Sequence, residues 1–93
     1  MPTKETTLEC TVASGMFSSE REISVELSDG RMVSAFVDEH QVIPSRRPEA
    51  DERIDGKVKV AIVKEHRDSV VVDLPQPTFA NGTRITVNKN KLS

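Results

Sequence analysis

Apolar and polar residues alternate along much of this chain with a period of two. Ile23, Val25 and Leu27 interleave with Ser24 and Glu26, and Met32 to Val37 resume the pattern after Ser28-Asp29-Gly30. A period of two puts successive side chains on opposite faces of a strand, so residues 23–37 predict a β-hairpin. Asp-Gly between two such runs is a strong hairpin signal. Two registers compete. A two-residue loop sets Leu27 opposite Met32 and Val25 opposite Ser34. A three-residue loop with Gly30 as a left-handed bulge sets Leu27 opposite Arg31, Val25 opposite Val33 and Ile23 opposite Ala35. The second keeps one face apolar and is the register expected here. It leaves Met32 and Phe36 on the reverse face, which predicts a strand covered on both sides.

Residues 1–5 carry no pattern and are expected to fray. Thr6 to Ala13 place Leu8, Cys10 and Val12 on one face of a first strand. After Ser14-Gly15 breaks the run, Met16 and Phe17 are expected to tuck under the sheet. Val42-Ile43 is a short apolar stub. Residues 44–56 combine two prolines with a dense run of charges, which predicts an exposed, mobile loop, with a helical turn over 49–53 after Pro48. Lys57 to Lys64 form a strand with Val58, Val60 and Ile62 on one face and Lys57, Lys59, Ala61 and Val63 on the other. Val70 to Leu74 is apolar on both faces and should be central. Pro75-Gln76-Pro77 stops that strand, Asn81-Gly82 is a second turn signal, and Arg84 to Asn88 turn Ile85 and Val87 inward. Leu92 anchors the polar tail. Six short strands without helical periodicity predict one all-β domain over 1–93, a small antiparallel barrel of the SH3-like or OB-like kind, with 44–56 as its charged loop.

Composition sharpens this picture. The chain has three phenylalanines and no tryptophan or tyrosine, so the core must be built from Val, Ile, Leu, Met and Ala. Residues 1–56 hold six Lys or Arg against twelve Asp or Glu, and residues 57–93 hold seven against three. The split marks either a basic surface for an anionic partner or two halves that interleave in one sheet and neutralise each other. The second is expected, because antiparallel barrels mix early and late strands. A single cysteine fits a reducing compartment. No apolar run approaches the roughly 20 residues of a membrane helix, so the expected location is cytoplasmic, with no membrane contact.

The chemistry-bearing residues are sparse. Cys10, His40 and His66 stand apart in sequence, whereas a zinc site needs three or four convergent ligands. No phosphate-binding glycine loop is present. The chain is therefore expected to be no enzyme and to hold neither metal nor cofactor. Two binding classes remain. An apolar surplus (Met16, Phe17, Met32, Phe36, Val63, Val71 and Phe79) exceeds what one small core holds and points to contact with a protein or a second copy, with Met32, Phe36, Phe17 and Phe79 as candidate contacts. The alternative is single-stranded RNA or DNA on the basic half, through Lys57, Lys59, Lys64, Arg67 and Arg84. The shortage of aromatic residues and the acidic balance weigh against it.

Overall fold

A computed structural model describes residues 4–79 and 82–93. Among these residues lie seven strands: β1 (Lys4–Ser14), β2 (Glu20–Glu26), β3 (Met32–Asp38), β4 (Val42–Ile43), β5 (Ile54–Glu65), β6 (Ser69–Asp73) and β7 (Arg84–Asn88). Single 3-10 turns follow β3 (Glu39–Gln41) and β7 (Lys89–Lys91). All pairings are antiparallel, in the order β3-β2-β1-β5-β6-β7, with β4 added to β5. The sheet curls into a small barrel. Its first and last strands approach each other where the Ser28 N–H donates to the Thr86 carbonyl at 2.9 Å, and where Thr78 bridges to Ala35.

The hairpin that joins β2 and β3 has the three-residue-loop register. Ile23 lies opposite Ala35 and Val25 opposite Val33, and the Leu27 N–H donates to the Arg31 carbonyl. Gly30 closes the turn at φ +89°, a region that an L side chain rarely enters. The inward residues of this hairpin meet those of β1, β5, β6 and β7 in one core of Leu8, Val12, Ile23, Val25, Val37, Val58, Val70, Val72 and Val87, all almost wholly buried. Leu92 packs against this core and bridges to Leu8, so it does anchor the tail. β6 is flanked on both sides, as its apolar run implied.

Several expectations are corrected. Lys4 and Glu5 belong to β1 instead of fraying; residues 1–3 lie outside the described residues, as does Asn81 of the expected Asn81-Gly82 turn. The charged loop ends at Arg53, because Ile54, Asp55 and Gly56 already pair with β1. Most of the loop is exposed, as expected, and it makes specific contacts. Pro48 is buried, Arg46 donates both Nη groups to Glu52 at 3.2 Å, and Arg53 reaches Glu22 at 3.3 Å. The expected helical turn is reduced to one bond from the Glu52 N–H to the Glu49 carbonyl. Ion pairs and a carbonyl-bound arginine connect this segment internally and to β2. In β5 the register shifts between Ile62 and Lys64, so Val63 sits at a bulge and is exposed, and the strict alternation breaks there.

Candidate contact surface around the phenylalanines

None of the three phenylalanines joins the buried core. β3 carries Phe36 on its outer face, in phase with Met32 and Ser34 and opposite Glu22 of β2. The chain returning from β6 lays Phe79 on it: the Phe79 N–H donates to the Ser34 carbonyl at 2.9 Å, and the two rings sit tilted with centroids 5.0 Å apart. That separation is within the range of favourable aromatic pairs. Phe17 comes from the opposite direction, on the loop between β1 and β2, and together with Phe36 lines a surface cleft of about 280 Å³. Phe17 and Phe79 are 68% and 59% exposed, and Met16 beside Phe17 is 75% exposed. Met16 and Phe17 therefore do not tuck under the sheet, because the core is already filled by aliphatic residues.

The loop that presents Phe17 is held at both ends. The Gly15 N–H donates to the Glu20 carbonyl and the Glu20 N–H to the Phe17 carbonyl, each at 3.0 Å. A Cβ at Gly15 would lie 2.8 Å from the Glu20 backbone, so this closure requires glycine. Arg21, only 2% exposed, lies below the loop. Its guanidinium donates to the Ser18 and Glu20 carbonyls, to the Ser45 carbonyl, and to Glu39 Oε2 at 3.1 Å. The Glu39 N–H in turn donates to the Ser19 carbonyl. The Phe17 loop, the 3-10 turn after β3 and the start of the 44–53 loop thus share one clasp.

Two carboxylates complete the cleft. Glu20 and Asp38 are directly opposite each other across β2 and β3, and both line it, with Ser19, Val37 and Gln76. Asp38 accepts from the His40 backbone N–H at 2.8 Å and lies 2.7 Å from the His40 Nδ1. These contacts hold its carboxyl below the usual range, the backbone bond contributing most. Glu20 accepts from the Met16 N–H at 2.9 Å. Among the described residues, no lysine or arginine forms an ion pair with either carboxylate.

The remaining candidates do not converge here. Met32 is exposed, so the outer face of β3 is covered only at its Phe36 end. Met32 stands four residues from Phe36, on the order of 13 Å along the strand. It lines a different cleft, with Cys10, Glu26 and Lys91. The basic residues are dispersed and partly neutralised. Lys57 is opposite Glu9 and Lys59 opposite Thr7, while Lys64 and Arg67 lie at or near the β5–β6 turn. Arg84 holds Asp73 through Nε at 3.1 Å and Nη2 at 3.3 Å. The early acidic strand β1 pairs with the late basic strand β5, so the two halves interleave as expected. His40 is committed to Asp38, and His66 lies exposed between β5 and β6.

Among the described residues, no cluster of His, Cys, Asp or Glu has metal-binding geometry, and no helix is long and apolar enough to cross a membrane. Comparison of the chain with protein families, curated proteins and solved structures finds no match to any of the three.

Proposed function

We propose that this chain is a non-enzymatic interaction module that binds a protein partner through the face built by Phe17, Phe36 and Phe79. One observation carries the reading: every aromatic side chain of the chain lies outside the core and on one contiguous face. Three rings and Met16 leave roughly a few hundred Å² of apolar surface in water, a patch of the size that is often functional on a monomer. Aromatic side chains also dominate the energetics of protein interfaces. The strand order, with β5 returning beside β1 after the β1-β2-β3 meander, is a Greek key and favours the OB-like over the SH3-like description. A fold alone does not specify a partner. The nucleic-acid alternative has less support, since Arg84 is already held by Asp73 and Lys57 faces Glu9. A cytoplasmic location is proposed with it, from the single cysteine.

The test is selection of peptides from a random dodecapeptide library, then titration of the synthesised winners. Winners should bind the wild-type protein and lose about tenfold or more in affinity on the Phe17→Ser/Phe79→Ser variant. Winners indifferent to that variant, or salt-sensitive binding of oligouridylate in their place, would reject the reading.

A further inference from the structure

The surface between Phe17 and Phe36 also carries carboxylates. Glu20 and Asp38 are like charges placed directly opposite each other, an arrangement unfavourable in a sheet. Two rows along the same face, the Ser24 and Ser34 hydroxyls are 3.0 Å apart, which shows how close opposite side chains come here. The other acids of the same face are compensated. Glu22 pairs with Arg53 and Glu26 with Lys91. His40 and, after it, Arg21 favour the charged form of Asp38; the Arg21 guanidinium is itself buried and engaged by Glu39 and three carbonyls. Among the described residues, Glu20 and Asp38 have no lysine or arginine partner; Asp38 is held by the His40 ring at 2.7 Å and Glu20 by the Met16 N–H, and both line a cleft with two phenyl rings.

We infer that this cleft takes an arginine side chain presented by the partner protein, with the guanidinium between Glu20 and Asp38 and the stem against Phe17 and Phe36. The inference rests on the contact-module reading and names the group that the module recognises. Arginine suits the site on three counts. Its planar fork donates to two acceptors at once, it stacks on aromatic faces, and its apolar stem covers carbon. A cation at this position also offsets two like charges placed on facing strand positions. The walls need little reorganisation, because the Phe17 loop is closed on Glu20 and clasped from below by Arg21. A second copy docking the same face would set four carboxylates together, and a nucleic-acid phosphate would meet the same charge; both occupants are disfavoured on that ground.

The probes are acetyl-Leu-Arg-Leu-amide and its citrulline counterpart, which keeps the shape of arginine and removes the charge. They are titrated into ¹⁵N-labelled protein up to millimolar concentration. The arginine peptide should shift the backbone signals of residues 17–20 and 36–38. Its affinity should exceed that of the citrulline peptide by about fivefold, and the advantage should vanish in the Glu20→Gln/Asp38→Asn variant. In that variant the new amide oxygens still accept from the Met16 N–H and still cap the 3-10 turn, so the fold is retained and the spectrum stays dispersed. Equal binding of both peptides at these signals would overturn the arginine inference and leave the apolar contact face standing. Failure of the arginine peptide to shift them would overturn the inference, and failure of the library selection would remove the module reading as well. Oligouridylate that shifts these signals, or a concentration-dependent dimer abolished by Phe17→Ser, would each overturn the arginine assignment in favour of another occupant.

Discussion

Arg21 and Glu39 form an ion pair of 3.1 Å in which the arginine is almost wholly buried and the glutamate one-third exposed. The guanidinium is engaged by more than the carboxylate, since the Ser18, Glu20 and Ser45 carbonyls accept from it as well. Removing it leaves several acceptors without their donor, and unmade buried bonds cost more than the net worth of made ones. Arg21→Met should therefore lower stability by about 3 kcal/mol in urea unfolding. Glu39→Gln, which keeps an acceptor near solvent, should cost about 1 kcal/mol. The Arg21 variant should also increase proteolysis at both the 15–19 and 44–53 loops. A loss confined to one of them would show that the clasp is not shared.

That clasp explains what the sequence does and does not disclose. Arg21 is in phase with Ile23, Val25 and Leu27, so the period of two already assigns it an inward position. An arginine in that phase reads as a strand end, because the pattern counts apolar groups and not backbone acceptors that converge from elsewhere. The contacts of residues 44–53 are hidden for the same reason: they depend on Ser45, Glu52 and Glu22 meeting arginines. The hairpin register is legible, and the residue sum that pairs Ile23 with Ala35 also pairs Glu20 with Asp38. Extending the ladder by three residues would have found those carboxylates. The meeting of Phe17, Phe36 and Phe79 is not legible, because it depends on the path of two loops from distant parts of the chain. These three rings nevertheless stand out in the sequence as apolar surplus, and only Met32 among the expected contacts proves remote from them.

Gly30 holds the hairpin at φ +89°, and nothing lies within 4 Å of where its Cβ would be. A substitution there meets no steric obstacle, so any cost is conformational. Gly30→Ala should destabilise by about 1 kcal/mol, and Gly30→Asn, which tolerates the left-handed region better, by clearly less. Equal losses would mean that the turn relaxes into the two-residue form, which amide exchange of Arg31 and Met32 would reveal.

Cys10 lies buried on β1, and burial pushes its thiol from 9.0 up to about 12. The unfolded chain loses this proton near 9 while the folded chain keeps it. The stabilisation linked to the neutral thiol is thus fully present below pH 9 and lost as pH rises toward 12. Comparison with Cys10→Val isolates the effect from the lysines. The difference in unfolding free energy between the two proteins should be constant below about pH 8, then turn against the wild type by up to about 1.4 kcal/mol per pH unit. A difference that stays flat through this window would mean that the thiol is solvated, and rapid alkylation in native protein at pH 8 would agree.

Two glutamates on one strand should respond to neutralisation with opposite signs. Glu20 faces Asp38, whereas Glu22 faces Phe36 and pairs with Arg53 at 3.3 Å. Glu20→Gln removes a cross-strand repulsion and keeps an acceptor for the Met16 N–H, so it should stabilise the fold by about 0.2–0.5 kcal/mol. Glu22→Gln removes an exposed attraction and should destabilise by a similar amount or less. Added salt should narrow both differences, because exposed charges are screened over about 10 Å at 0.1 M. Thermal unfolding of the three proteins at low and moderate salt measures all of this. A stabilised Glu20→Gln variant that also loses its preference for the arginine peptide would show that the repulsion is retained for binding at the expense of stability. If Glu20→Gln proves the less stable protein at every salt concentration, its carboxylate already has a cation in the free chain, and the cleft has none to offer a partner.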